Sequence, residues 1–293
     1  GNTIDEWWHQ RRDDSVYWME VSGRRQQRIQ LKCSPIEVGP ILRQELFQKV
    51  PTVIMTSATL AIGGDNFNFT KQRLGLTACN ELKLGSPFDY QHQAKIILPE
   101  GMPDPGDEPA AYESAVVDKI EKYVGQSQGR AFVLFTNYKM MTNCAARLTP
   151  YLAEENIALL CQGDNLSPAD MLKQFVKEPR AVLFGVDRFW QGVDVPGDAL
   201  QNVIIAKLPF SVPDHPLLEA RLEAIRRRNG NPFYEYQIPE AVIKLKQGFG
   251  RLIRSQSDTG QVVILDPRVR TKPYGRVFMA SLPDCPVVYD GDE

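Results

Sequence analysis

From residue 131 onward one pattern repeats along the chain. A short apolar run without polar alternation gives way to a polar break, then to a longer stretch with apolar positions three and four apart. The runs at 131–136, 157–161, 181–185, 202–206 and 261–265 have the length of buried strands. Helices are predicted at 110–124, where Tyr112, Val116, Val117, Ile120 and Tyr123 form a stripe, and at 138–152. Another is predicted to start at Ser167 as N-cap with Pro168 in its first turn, and two more at 215–228 and 238–254. Strands apolar on both faces, alternating with helices, predict a parallel α/β sheet covered on both sides. Ligands on such sheets bind at the carboxyl ends of the strands. The chemically suggestive segments of this chain are expected at those ends or on the helix that follows.

The first third reads differently. Residues 16–21 alternate and predict a hairpin ending near Gly23, and Ile36, Val38, Ile41, Leu42, Leu46 and Phe47 have helical spacing behind Gly39-Pro40. Thr52-Val53-Ile54-Met55 has the length of a buried strand and runs into Thr56-Ser57-Ala58-Thr59. Residues 99–109 hold four prolines and two glycines and read as a linker or exposed loop. A division into 1–95 and 96–293 follows. The opening at Gly1, without Met, in mid-domain sequence predicts a piece of a longer protein.

Composition narrows the classes. Thirty-four basic and thirty-six acidic residues leave a net charge of -2, so no global field points to a polyanion. Between Arg221 and Arg276, however, twelve Lys/Arg stand against five Asp/Glu, a local basic surface suited to phosphate or nucleic acid. The cysteines 33, 79, 144, 161 and 285 are scattered and form no C-x-x-C pair, which argues against a metal centre or a disulfide framework in this chain and fits a cytoplasmic protein. No apolar run approaches the roughly 18 residues of a membrane span.

Four segments carry candidate chemistry. In Gln247-Gly248-Phe249-Gly250-Arg251-Leu252-Ile253-Arg254-Ser255, a continuous helix would project Gln247, Arg251 and Arg254 from one face. Arginine forks suit phosphate oxygens and the charge that develops in phosphoryl transfer, although a solvated basic face has the same spacing. The strand at 181–185 empties into a loop with Trp190, Gly192 and Asp194, where glycine admits close ligand approach and Trp190 or Phe189 could stack on a base; a turn over packed aromatics is the plainer alternative. Thr136, Asn137 and Tyr138 follow a strand and open a helix, a place for phosphate or for an ordinary cap. Thr56, Ser57 and Thr59 offer hydroxyls in what is also routine turn chemistry.

Their order along the chain resembles motifs III, IV, V and VI of superfamily-two DNA helicases. The wording "TSATL", "LFTNY", "FWQGVDVPGD", "IIAKLPF", "QGFGRLIRS" and "GQVVILDPRVRTKPYG" resembles the DinG branch, relatives of XPD, from about residue 34 to 283. The resemblance implies a RecA-like second motor domain (96–293) preceded by the end of the first (1–95), in a 5′-to-3′ ATP-dependent helicase on single-stranded DNA. Arg251 and Arg254, with Gln247, would face the phosphates. Gly192, Asp194, Thr56, Ser57 and Thr59 would couple ATP to movement, and Thr136, Asn137, Tyr138 and Trp190 would lie near DNA. No G-x-x-x-x-G-K-[ST] or Asp-Glu-Ala-His box occurs, so ATP and Mg²⁺ would be bound jointly with an upstream motor domain and this chain alone would not hydrolyse ATP. Gln191 stands where many XPD relatives carry Glu. The resemblance admits an iron–sulfur cluster upstream, not in this chain. The alternative is a non-catalytic RecA-like module that binds nucleic acid or a partner.

Overall fold

The computed structural model describes residues 2–23, 27–164, 166–190, 195 and 197–291. Along the chain run α1 (Asn2–Trp8), β1 (Ser15–Ser22), β2 (Arg28–Pro35), α2 (Gly39–Leu42), α3 (Asn68–Leu74), α4 (Tyr90–Gln93), β3 (Ala94–Pro99) and α5 (Pro109–Gln126). They are followed by β4 (Ala131–Leu134), α6 (Tyr138–Glu154), β5 (Ala158–Cys161), α7 (Pro168–Lys177), β6 (Ala181–Gly185) and β7 (Asn202–Ile205). The order closes with α8 (Pro216–Arg227), α9 (Ile238–Phe249), β8 (Gly260–Ile264), α10 (Arg268–Thr271), α11 (Gly275–Met279) and β9 (Val287–Asp290).

The chain divides into two compact units. One comprises Gly1–Ala61, Asp65–Leu82 and Ser211–Glu240, the other Ile62–Gly64, Lys83–Phe210 and Ala241–Glu293. This division does not follow the 95/96 boundary, because residues 211–240 group with the first unit and 83–95 with the second.

In the first unit β1 and β2 form an antiparallel hairpin that pairs Met19 with Leu31 and Val21 with Ile29. Pro40 sits in the first turn of α2, where its missing N–H costs nothing, and a π-helical turn at Arg43–Phe47 continues that helix. Leu222, Ile225 and Tyr236 form a small core with Phe69 and Leu218 packed on it. The expected strand at 52–55 does not form: the run is irregular and Ile54 is 84% exposed. A strand exists only where a neighbour completes its hydrogen bonds, and no described strand pairs with this segment.

The second unit is built on a seven-stranded sheet in the order β5-β6-β4-β7-β8-β3-β9, every pair parallel. The five strands read from the sequence occupy its centre and one edge. Leu134 pairs with Gly185 on one side and Ile205 on the other, which levels the carboxyl ends of β4, β6 and β7. β4 and β7 lie side by side where the chain stops adding strands toward β5 and begins adding them toward β8, the place in an open α/β sheet where a crevice opens. A core from Val116, Ile120 and Tyr123 of α5 and Met141, Cys144 and Leu148 of α6 covers one face. The proline-rich stretch lies within this unit as the loop from β3 to α5, with Pro105 buried, so it is not an interdomain linker. Ser167 caps α7 as expected, its hydroxyl accepting from the Asp170 amide at 3.2 Å.

Helix α9 departs from expectation. It stops at Phe249 rather than running to 254, and Gly250 and Arg251 form a turn. Glycines at 248 and 250 weaken the helix at this point, and the chain must still reach the start of β8 at Gly260. Arg251 and Arg254 therefore do not share a helical face with Gln247.

Candidate functional site

Past the end of β6, Asp187 takes the left-handed value φ 28° and turns Phe189 and Trp190 inward. Phe189 is fully buried and Trp190 is 3% exposed. Trp190 therefore has no face to offer a base, which corrects its assignment as a DNA-stacking platform. A buried indole N–H requires an acceptor, and Trp190 Nε1 donates to the carbonyl of Phe135 at 2.9 Å. On its other side the ring packs against Gly248 of α9, where an added Cβ would stand 3.2 Å from Trp190 Cε3 and 3.2 Å from Leu134 Cδ1. One buried side chain thus joins three of the four sequence segments: the end of β4, the loop after β6 and the end of α9.

At the end of β4, Thr136 is half-buried and Asn137 and Tyr138 are exposed. Asn137 is the N-cap of α6, its Oδ1 accepting from the Met140 amide at 2.9 Å, so that oxygen is committed to the helix. The amide group of Asn137 and the ring of Tyr138, 49% exposed, remain on the surface. Gln162, just beyond β5, donates from Nε2 to the Tyr138 hydroxyl at 2.7 Å and accepts the Val186 amide on Oε1 at 2.8 Å. The ends of β4, β5 and β6 are tied by this one side chain. Sequence reasoning passed over Gln162, whose only signal is a polar residue directly after an apolar strand.

The arginine segment follows its own logic. Gln247 remains in α9, with its Oε1 buried and without a hydrogen-bond partner among the described residues. Arg251 is half-buried and donates from Nε to the Gln247 carbonyl at 3.1 Å, closing the frayed helix end. Arg254 is exposed, and its backbone amide donates to Asp258 Oδ2 at 2.7 Å. Asp258 is 4% exposed and also accepts the Ser255 amide at 2.8 Å and the Ser255 hydroxyl at 2.6 Å. Burial pushes the Asp258 carboxyl up. The Ser255 hydroxyl, the two amides and the Arg254 charge outweigh it and hold the group below the ordinary aspartate range. Gln93, 7% exposed at the end of α4 and directly before β3, donates to the carbonyls of Ser255 and Asp258, each at 2.9 Å. The Arg254 loop therefore sits beyond the end of α9 and beside the amino ends of β3 and β8, rather than at a carboxyl strand end or on the helix that follows, where the sequence places it.

Gly192 and Asp194, with Gln191, lie outside the described residues. Thr56, Ser57 and Thr59 belong to the other compact unit, where Ser57 Oγ and Thr59 Oγ1 are 3.1 Å apart. Beyond β7, Lys207 is half-buried, and burial and then the nearby Arg268 charge lower its pKa. Arg268 is clasped by the fully buried Asp266 through Nε at 2.9 Å and Nη2 at 2.6 Å. Among the described residues no group of three or more His, Cys, Asp or Glu stands close enough to hold a metal ion, and all five cysteines are free. No described helix is long and apolar enough to cross a membrane.

A family model described as "Helicase C-terminal domain" matches residues 120–285. The ATP-dependent DNA helicase YoaA of Escherichia coli (strain K12) is 41% identical over 274 residues, covering 94% of this chain and 42% of that protein. The protein named 3'-5' exonuclease DinG of Bacillus subtilis (strain 168) is 36% identical over 278 residues, covering 92% of this chain and 30% of that protein. The chain thus spans less than half the length of either relative. Among solved structures an XPD helicase superposes with TM-score 0.61 at 17% identity, over 88% of this chain and 46% of that one. Xpd4 of S. tokodaii gives TM-score 0.59 at 14% identity, over 89% and 48%. These likenesses show a RecA-like helicase fold. The model match spans more than half of the chain, which is also similar in sequence to proteins named YoaA and DinG: the chain belongs to the helicase C-terminal domain family.

Proposed function

We propose that this chain supplies the second-motor share of an ATP-dependent DNA helicase acting 5′ to 3′ on single-stranded DNA. Residues 1–95 are read as the end of the first motor domain and 96–293 as the second. The observation that carries the reading is the Trp190 joint, which links the strand-end loop Thr136–Tyr138 to the helix that leads into Arg251 and Arg254. A rigid connection between a surface suited to a phosphodiester backbone and arginines suited to a polyphosphate is what a nucleotide-driven motor requires. ATP and its Mg²⁺ would enter as substrate. The lysine and carboxylates that grip them would come from an upstream motor domain, so the chain by itself would not turn over ATP. Within this chain the guanidiniums of Arg251 and Arg254 would stabilise charge on the transferring phosphate, with Gln247 beside them. Thr56, Ser57, Thr59, Gly192 and Asp194 would couple that event to movement, and Thr136, Asn137 and Tyr138 would hold the DNA backbone. The whole protein would act in the cytoplasm, in DNA repair.

The test is DNA-stimulated ATP hydrolysis by the full-length protein. Arg251→Ala or Arg254→Ala should lower kcat by about 10³-fold while nucleotide binding stays largely intact. Unchanged turnover in both variants would sink the proposal.

A further inference from the structure

Arg251 and Leu252 still donate turn bonds to the carbonyls of Gly248 and Phe249, but from Ile253 to Thr259 the chain is in neither helix nor strand, yet Arg254 has a fixed backbone. Two buried side chains determine it. From one side the Asp258 carboxylate gathers the amides of Arg254 and Ser255 and the Ser255 hydroxyl. From the other, the Gln93 carboxamide takes the carbonyls of Ser255 and Asp258, and its own Oε1 accepts the Asp89 amide at 2.9 Å, anchoring the clamp to the start of α4. Hydrogen bonds to an ionised acceptor are about twice as strong as neutral ones, so Asp258 is the stiffer half. The result is an exposed guanidinium on an immobilised root.

We propose that Asp258, backed by Gln93, is a positioning residue that fixes the backbone of Arg254 so that its guanidinium is presented to a nucleotide phosphate in one geometry. The proposal rests on the reading of Arg254 as a phosphate-facing group. Asp258 itself touches no reacting atom: its oxygens are occupied by the loop. Its effect on rate passes through Arg254, where a displacement of about 1 Å costs on the order of 10²-fold.

The experiment is a double-mutant cycle in the full-length protein, with hydrogen exchange as a readout independent of turnover. Asp258→Ala should lower kcat by about 10²-fold with KM for ATP within about threefold. It should also abolish exchange protection of the Arg254 and Ser255 amides. In the Arg254→Ala background the same change should cost nothing further. Gln93→Leu should follow the same pattern more weakly, and it carries the test if Asp258→Ala does not fold. Losses that add fully in the double variant, or an Arg254→Ala enzyme that is impaired while both clamp variants keep wild-type kcat, would overturn the positioning role alone. Wild-type turnover by Arg254→Ala would overturn the phosphate-facing reading and the proposal with it.

Discussion

Trp190 Nε1 and the Phe135 carbonyl stand 2.9 Å apart, both shielded from water, and this hydrogen bond crosses 55 residues of sequence. It is the point at which the loop after β6 is fastened to the end of β4. Trp190→Phe keeps most of the ring but leaves a buried carbonyl unpaired. A loss of about 1–3 kcal/mol is expected in urea unfolding, while Trp190→Ala should cost about 3–5 kcal/mol. Variants as stable as the parent would remove Trp190 from its place as a joint.

Gly185 closes β6 against the Phe189 ring, and a Cβ there would stand 2.5 Å from two of its atoms. Gly185→Ala should force the ring out of place at a cost of about 1–3 kcal/mol. Circular dichroism melts would register this as a lowered midpoint. A wild-type melting curve would mean that the Phe189 loop yields freely.

Tyr138 exposes about half its surface at the end of β4, and its hydroxyl is steadied by Gln162. If it stacks on a nucleic-acid base, Tyr138→Ala should weaken single-strand binding by about 1–3 kcal/mol, with Tyr138→Phe much milder. Fluorescence anisotropy with a labelled oligonucleotide measures both, and identical affinities would place the strand elsewhere. If the basic residues between 221 and 276 hold the strand, its affinity should also fall steeply with salt.

The Asp258 carboxyl sits below its unfolded value, so it stabilises the fold fully above about pH 4. That contribution is lost as pH falls through the lower folded value. Asp258→Asn should therefore be less stable than the parent at neutral pH, and the two should converge as pH falls below the lowered folded value. Parallel stability curves across that window would contradict the assignment.

Cys33 and Cys79 are exposed, whereas burial pushes the Cys144 thiol up to about 12 and those of Cys161 and Cys285 to about 11. A thiol reagent at about pH 8 should label Cys33 and Cys79 quickly and the other three only after denaturation. Mass spectrometry of the labelled native protein decides the matter, since rapid labelling of Cys144 would mean that α6 opens readily.

The central strands were legible because each is an apolar run bounded by polar breaks, and their helices because of their stripes and caps. β3 and β9 were not: β3 runs straight out of α4 into the proline-rich loop, and Val287, Val288 and Tyr289 of β9 are exposed at an edge. The site was legible as a set of segments and misread in its details. A tryptophan between glycines and aspartates suggests exposure, but the Phe135 carbonyl and Gly248 draw it inward. A spacing of four and seven suggests a helical face, but paired glycines end α9 before the arginines. Gln93 and Asp258 escaped notice because their meaning depends on a contact across 165 residues, which no local pattern encodes.

The irregular, exposed segment at 52–55 has a practical side. Thr52-Val53-Ile54-Met55 is uncharged, rich in β-branched residues and open to solvent, with backbone groups that no described strand occupies. Those are the properties of a self-templating adhesive stretch. In concentrated solutions of this polypeptide it is the segment from which chain-to-chain pairing and loss of solubility should begin, and a lysine at Ile54 is the simplest remedy.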